Sequence, residues 1–142
     1  MSAGEQAAAY RQMVERVFES DVLPALSDYT RLHCLSPAFD PGWEGHGEIH
    51  RAAELLAQWS RDRPLAGLAA EVRELPGRTP VLVVDVPGTG ADGNVLVYGH
   101  LDKQPPQGDW RPGLGPFEPV RQGERLYGRG TADDGYSNSS SA

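Results

Sequence analysis

The stretch Val95-Leu96-Val97-Tyr98-Gly99-His100-Leu101-Asp102 decides how this chain folds around a candidate site. Its first four residues are apolar, which is typical of a strand buried in a sheet. A strand that ends near His100 leaves the imidazole at the edge of the sheet, where open α/β sheets bind ligands. Asp102 can then hold the ring in one tautomer, as acceptors do for metal-bound histidines. The alternative, for His100 taken alone, is a hydrogen-bonded structural histidine.

A second motif lies further along the chain, at Tyr127-Gly128-Arg129-Gly130-Thr131-Ala132-Asp133-Asp134-Gly135. Its glycine-rich turn is expected to bring Asp133 toward the edge where His100 lies. Histidine nitrogen and carboxylate oxygen together suit a divalent metal ion. Adjacent aspartates also commonly cap the N-terminus of a helix, and that alternative stays open for Asp133 and Asp134. For Arg129 we favour a structural ion pair over a substrate clamp.

Together the two motifs resemble the M20 family of zinc aminoacylases, carboxypeptidases and dipeptidases, and most closely its dipeptidase-like branch. The resemblance covers under a third of the chain, although the upstream arrangement also fits. Much of the family has Lys-Gly after the paired aspartates, whereas Gly135-Tyr136 follows here, which marks a subgroup. The residues that carry the resemblance are Gly99-His100-Leu101-Asp102-Lys103-Gln104-Pro105, Trp110, Pro116-Phe117-Glu118-Pro119 and Gly123 through Asp134.

The resemblance implies a role for each residue of the two motifs. His100 would bind one of two divalent metal ions, with zinc expected and cobalt or manganese as alternatives. Asp133 would bridge the two ions, which relieves their mutual repulsion. Asp102 would be the catalytic-site residue that orients His100. Asp134 would lie next to the ligands without binding metal itself. The resemblance also implies a cis peptide bond between Asp133 and Asp134.

The reaction that the resemblance implies is hydrolysis of an amide or peptide bond in a small, dipeptide-like substrate. The remaining metal ligands and the catalytic glutamate of the family lie downstream of the paired aspartates, and this sequence ends at Ala142. Glu118 and Glu124 precede the second motif and do not match the general base, so we expect none in this chain. The chain alone is therefore expected to be inactive, and its full-length parent is expected to be active and to dimerise through a lid domain absent here.

Three alternatives to this hydrolase remain. The first is an N-acyl amino acid deacylase of the same family, which would share every motif residue. The second is a non-catalytic, truncated relative. The third is a non-haem iron oxygenase, which also uses a His-x-Asp motif but needs another histidine downstream. No histidine follows His100, so the oxygenase is the weakest of the three.

Composition narrows the classes further. The chain has 142 residues, enough for one modest domain, and a formal net charge of -7, which argues against nucleic acid or an anionic membrane surface as a partner. No apolar stretch approaches the ~20 residues of a membrane span, and no secretory signal is visible. Cys34 is the only cysteine, so a disulfide within the chain and a multi-cysteine zinc site are both excluded. We expect a cytoplasmic protein in which Cys34 is buried and unreactive.

The periodicity predicts helices first and strands afterwards. Residues 5–19 predict an amphipathic helix, Asp21 is expected to cap a second short helix, and residues 47–61 predict a third with Ile49, Ala53, Leu56 and Ala57 buried. His46 and His50 have helical metal-pair spacing without a supporting pattern, so we do not favour a site there. Strands are predicted at 70–75, 81–86, 94–98 and Leu126-Tyr127, the second and third of them buried on both faces.

These elements predict an α/β fold in which N-terminal helices precede a mixed, largely parallel sheet. This would be an incomplete half of a zinc-exopeptidase-like catalytic domain. Residues 1–136 would form its N-terminal portion. Residues 137–142 would be a polar tail, since serine and asparagine are poor helix formers, and this tail would mark a truncation point or a non-native end. Trp110 and Phe117 are expected to anchor the long loop between the two motifs.

Overall fold

The chain folds into N-terminal helices, two small sheets and a short helix after the last strand. The computed structural model describes residues 2–88, 90 and 93–140. The helices are α1 (Ala3–Val17), α2 (Leu23–Arg31), α3 (Trp43–His46), α4 (Glu48–Arg61) and α5 (Gly135–Ser140), with a π-helical turn at Phe18–Val22. The strands are β1 (Ala69–Arg73), β2 (Val81–Asp85), β3 (Val120–Gln122) and β4 (Arg125–Tyr127). Among the described residues, none of the helices has the length and apolar character that crossing a membrane requires.

The first helix is present as predicted, but its apolar face is not buried. Ser2 and Glu5 form a capping box that starts α1, and none of the residues of α1 is buried. The helix runs through the π-helical turn straight into α2, because Val22 keeps helical dihedral angles. Asp21 therefore lies inside a continuous helical segment, and its predicted role as an N-cap is wrong. The large exposed apolar residues of α1 are Tyr10, Met13, Val14 and Val17.

The hydrophobic core lies between α2 and α4. Leu26 and Tyr29 of α2 pack in one buried cluster with Ile49, Ala52 and Leu56 of α4. Gly47, with a φ of 71°, ends α3 and directly precedes α4, which glycine allows without strain. The predicted third helix is therefore confirmed, and the four residues predicted to line its apolar stripe are all buried.

The strands pair antiparallel. β1 pairs with β2, and β3 pairs with β4, which confirms the predicted strand at Leu126-Tyr127. Within the described part of the chain, the one parallel contact is an isolated bridge between Leu35 and Lys103. The mixed helix and strand composition is as predicted, but the expected parallel sheet is not formed by these strands.

β2 and the segment before His100 are far more exposed than predicted. Alternate residues of β2 are exposed, because its two-stranded sheet packs on α4 with one face only. Residues 94–98 form no strand, and Val95 and Leu96 are 93% and 94% exposed. The prediction that both segments are buried on two faces is wrong. A strand needs a hydrogen-bonded neighbour, and no described strand lies beside residues 94–98.

The predicted polar tail begins inside a helix. α5 spans Gly135–Ser140 and packs against α2, and Gly135 is buried. Helix propensity is a weak prior that tertiary contacts override, so the low propensity of serine and asparagine did not decide this segment. The segment predicted as a polar tail is therefore helical as far as residue 140.

Candidate active site

His100 lies among the three acidic residues that the two motifs supply. Its backbone N–H donates to Asp134 Oδ2 at 3.0 Å. Its Nδ1 lies 2.8 Å from the main-chain carbonyl oxygen of Asp102 and 3.2 Å from Asp102 Oδ1. Its Nε2 lies 3.1 Å from Asp133 Oδ1. The structure thus brings together the four site residues named from the sequence, while their roles as ligands stay predictions.

The surroundings of the ring favour one tautomer. Two acceptors of Asp102, the carbonyl oxygen and the carboxylate, face Nδ1, so this nitrogen is the one that carries hydrogen. The Nε2 lone pair of the neutral ring then faces the carboxylate of Asp133, which is also an acceptor. Two acceptors 3.1 Å apart need a proton or a metal cation between them. Two ligands of one zinc ion, each at about 2.0–2.2 Å, fit that separation.

The same contacts raise the pKa of His100 above its ordinary value. Burial acts in the opposite direction and is the largest single influence, because it disfavours the charged ring. The hydrogen bond to the Asp102 carbonyl and the contact with Asp133 together outweigh it. The electrostatics around this ring therefore favour a positive charge, whether a proton or a metal ion carries it.

The donor set is smaller than a complete metal site. Within residues 2–88, 90 and 93–140, no group of three or more His, Cys, Asp or Glu side chains is placed to hold a metal ion. Zinc sites in proteins normally have three or four protein ligands. The side chains of His100 and Asp133 suit a divalent ion in type and spacing, but they are two ligands only.

The peptide bond between Asp133 and Asp134 is cis, as the family resemblance implies. Asp134 directly precedes α5, and both its carbonyl and its carboxylate accept from the hydroxyl of Ser137. Its other carboxylate oxygen accepts from the backbone of His100. Asp134 therefore links the first turn of α5 to the His100 backbone, a position that also agrees with the capping alternative. Asp133, by contrast, directs its carboxylate at the imidazole.

Lys103 is part of the architecture of the site that sequence reasoning missed. Its side chain is fully buried, and its ammonium group donates to the carbonyl oxygens of Tyr29, Thr30 and Leu32. Burial lowers the pKa of Lys103 to about 8. The sequence offers one weak signal, which is a lysine directly after the His-x-Asp motif, but lysine is ordinarily exposed.

Two further buried groups hold the backbone between His100 and Asp102. The hydroxyl of Tyr29 donates to the carbonyl oxygen of Leu101 at 3.1 Å, and the thiol of Cys34 donates to the same oxygen at 3.3 Å. Burial raises the pKa of both groups, so each keeps its proton at neutral pH. Cys34 is buried, as predicted. Both side chains keep this backbone segment in place as hydrogen-bond donors.

The glycines of the second motif are explained by close packing. Gly130 has a φ of 86°, and a Cβ atom there would lie 2.8 Å from Cε of Lys103 and 2.9 Å from Cε1 of Tyr29. A Cβ atom on Gly135 would collide with the carbonyl oxygen of Gly130 and with the Tyr29 ring. The turn that carries Asp133 can therefore approach α2 only because these two positions lack side chains.

The predictions for Arg129 and for the loop anchors have different outcomes. In the part of the chain that the structure describes, Arg129 forms no ion pair, and its Nε atom is buried with no hydrogen-bond partner. The predicted ion pair is therefore wrong within these residues. Phe117 stacks on His33 with ring centroids 3.9 Å apart, so it anchors the loop as predicted. Trp110 is half-buried, and its indole N–H has no partner within the described residues.

The two histidines with helical spacing bind separate carboxylates. His46 Nδ1 lies 2.8 Å from Asp40 Oδ2, and His50 Nε2 lies 3.4 Å from Glu74 Oε1. Neither arrangement brings the two rings to a common ligand. The observed contacts thus account for both rings as neighbours of single carboxylates.

Comparison with known proteins agrees with the two motifs. No curated protein matches the chain. Residues 96–140, about a third of the chain, match the family described as peptidase family M20/M25/M40. The matched residues include His100, Asp102, Lys103 and the paired aspartates. This match agrees with the resemblance that the two motifs carry and is consistent with membership of peptidase family M20/M25/M40.

Proposed function

We propose that the protein to which these residues belong hydrolyses an amide or peptide bond in a small, dipeptide-like substrate with the aid of two divalent metal ions. Family membership supports a peptidase or hydrolase, and the substrate class and metal number are our proposal. The observation that carries it is the 3.1 Å contact between His100 Nε2 and Asp133 Oδ1, with Nδ1 already held by Asp102. This arrangement is the one expected of two ligands that are positioned to bind a cation.

Each residue of the site has a distinct task in this proposal. His100 would hold one metal ion through Nε2, and the Asp133 carboxylate would bridge to the second. Asp102 keeps hydrogen on Nδ1 and so leaves the metal-binding nitrogen deprotonated. Asp134 fixes the backbone of His100 from the side of α5. When bound, the two ions supply an activated water and polarise the scissile carbonyl.

The proton-transfer group lies outside the described site. General-base catalysis contributes ~10²–10⁴-fold, and neither Glu118 nor Glu124 matches the family motif for it. We propose that a glutamate and the remaining ligands come from other residues of the full-length protein. The 142-residue chain alone is then expected to bind metal weakly and to be inactive, since the described residues supply only two ligands.

Zinc is the metal we favour. Cobalt and manganese are alternatives, because a nitrogen and carboxylate donor set accepts all three. An N-acyl amino acid deacylase would use the same residues, so the substrate must be decided by experiment. A non-catalytic relative is the second candidate, and the small donor set favours it for this chain alone.

The test uses protein expressed from the complete reading frame, loaded with zinc, cobalt or manganese. We expect it to cleave dipeptides, and we expect His100→Ala and Asp133→Ala to reduce kcat/KM at least a thousandfold. His46→Ala is the matched control, because the His46 ring contacts Asp40, which belongs to neither motif. A preference for N-acyl amino acids over dipeptides would select the deacylase instead.

The 142-residue chain is assayed in parallel with the same metals and substrates. We expect no turnover above a metal-only blank. Metal-dependent turnover by this chain that disappears in His100→Ala would contradict its proposed inactivity. Absence of hydrolysis by the full-length protein on both substrate classes would contradict the proposed function itself.

A further inference from the structure

We propose that Lys103 is the positioning residue that holds the two motif segments, residues 99–102 and residues 128–135, in register on the C-terminal end of α2. The proposal rests on the proposed function, because the geometry that matters is the position of His100 relative to Asp133. Lys103 lies in the first motif by sequence, next to Asp102, and contacts the second motif by its side chain.

The first observation is the burial of the ammonium group. Lys103 is 0% exposed, and Nζ lies 2.7 Å, 3.1 Å and 2.8 Å from the carbonyl oxygens of Tyr29, Thr30 and Leu32. An ammonium group has three N–H donors, so these three acceptors use all of them. Two of the acceptors lie in the last turn of α2 and the third is Leu32, the residue that follows the helix. The helix dipole is negative at this end, and few helical N–H groups remain to pair with the carbonyls.

The second observation is the absence of a carboxylate partner. In the described ranges, Lys103 makes no ion pair with an acidic side chain, and its cation lies 4.2 Å from the centre of the Tyr29 ring. An apolar side chain would fill the same space without desolvating a charge. The three carbonyl acceptors therefore explain why a lysine is buried here, because only a side chain with several donors can bind the end of α2.

The third observation is that Lys103 is fixed on both sides. Its backbone N–H donates to Cys34 at 2.8 Å, and its carbonyl oxygen accepts from Ser36 at 2.9 Å. Its side-chain carbons face Gly130 so closely that a Cβ atom there would lie 2.8 Å from Cε. Gly130 in turn accepts from Gly135 at 2.9 Å and so closes the turn that contains Asp133. Any shift of the lysine stem therefore moves the turn relative to His100.

These contacts distinguish positioning from catalysis. Because all three hydrogens of the ammonium group are used by main-chain carbonyls, Lys103 has none left to donate to a substrate or to a leaving group. It acts on the site through the two segments that it joins. Its loss is expected to change the geometry of the metal ligands rather than to remove a proton-transfer step.

The test compares Lys103→Met, which keeps the length and loses the donors, with Lys103→Arg, which keeps the charge. In the full-length protein we expect Lys103→Met to weaken cobalt binding at least tenfold, to alter the visible absorption spectrum of bound cobalt, and to lower kcat with little change in KM. Lys103→Arg is expected to stay within about threefold of the wild type in cobalt affinity. Ala57→Gly, in the buried face of α4, is the control for general destabilisation.

A second readout needs no metal. The ¹⁵N chemical shifts of the His100 ring, measured on the metal-free protein, are expected to change in Lys103→Met and to be unchanged in Ala57→Gly. If Lys103→Met does not fold, Gly130→Ala tests the same contact from the other side and is expected to change the same shifts. A folded Lys103→Met with unchanged ring shifts, cobalt affinity and cobalt spectrum would overturn the proposal. Wild-type protein that binds no metal while the ring shifts respond would contradict the proposed function and leave the positioning role supported.

Discussion

The region around α2 and the segment before His100 are at opposite extremes of burial. Tyr29 and Lys103 are fully buried at the end of α2, whereas Val95 and Leu96 are more than nine-tenths exposed only a few residues before the site. The candidate site is held from the buried side, by Tyr29, Cys34 and Lys103. Its geometry therefore depends on helix packing and does not need the sheet that the sequence predicts there.

The difference follows from where each element finds its hydrogen bonds. A helix satisfies its backbone internally, so α2 and α4 need only each other to bury their apolar faces. A strand needs a partner strand, and residues 94–98 have none among the described residues. The same apolar composition therefore stabilises the fold in one region and leaves an exposed apolar patch in the other.

The largest expected effect compares two leucines. Leu56→Ala removes a side chain from the core, where Leu56 is 2% exposed, and should lower the free energy of unfolding by about 2–5 kcal/mol. Leu96→Ala should change it by less than about 0.5 kcal/mol, since an exposed side chain loses little burial. Urea unfolding followed by circular dichroism measures both. Equal losses would mean that residues 94–98 are buried in solution.

A smaller effect is expected from two tyrosine hydroxyls. Tyr29→Phe removes the donor to Leu101 and should lower the free energy of unfolding by about 0.5–3 kcal/mol, because it leaves a buried carbonyl with one donor fewer. Tyr98→Phe, at an 82% exposed side chain, should have no measurable effect. The same unfolding experiment tests this pair. An unchanged stability in Tyr29→Phe would contradict the anchoring of residues 99–102 on α2.

The pH dependence of the metal-free chain should report on His100. Because its folded pKa is raised, the contribution of His100 to stability is fully present below the ordinary value of 6.5 and is lost as pH rises through the higher folded value. An NMR titration of the ring should give a pKa above that ordinary value. Asp133→Asn should lower this pKa, and Asp62→Asn, far from the ring in sequence and bonded to Gln58, should not. If Asp133→Asn left the pKa of His100 unchanged, the contact between His100 and Asp133 would not exist in solution.

The smallest effect on stability is expected from a charged substitution in the exposed segment 94–98, where the change should instead affect solubility. Leu96→Lys adds a charge to the exposed apolar segment and should leave the free energy of unfolding unchanged. Light scattering of the concentrated chain should fall, because a charged residue interrupts an apolar, β-prone run. Gln107→Lys, at an exposed uncharged residue, is the surface control that adds the same charge outside the segment. Equal scattering by wild type and Leu96→Lys would show that this segment does not drive association.

The helices and the site residues could be predicted, and the reasons are local. Residues 47–61 carry a helical apolar period, and that period is sufficient to predict which face of the helix contains the buried residues Ile49 and Leu56. His100, Asp102 and the paired aspartates were identified because their order along the chain resembles a known family. The cis bond between Asp133 and Asp134 came from the same resemblance.

The remainder depends on contacts that no local pattern specifies. Residues 94–98 have the composition of a buried strand, but burial depends on a partner elsewhere. Lys103 is a residue type that is ordinarily exposed, and only the three carbonyls at the end of α2 explain its burial. α5 forms from poor helix formers because it packs on α2. In each case the tertiary partner decides the outcome.

The bonds from Lys103 to the end of α2 also determine when that helix acquires its final cap during synthesis. They join residues 71 to 74 positions apart, whereas α2 and α4 are close in sequence and can meet early. At ~5–20 residues per second, a ribosome adds Lys103 roughly 4–15 s after the carbonyls that it will bind. Throughout that interval the carbonyl oxygens of Tyr29, Thr30 and Leu32 have water in place of the Lys103 ammonium group. A nascent chain arrested before residue 103 also lacks the Lys103 carbonyl oxygen that accepts from the Ser36 N–H, so it should show faster amide exchange at residue 36 than the released protein.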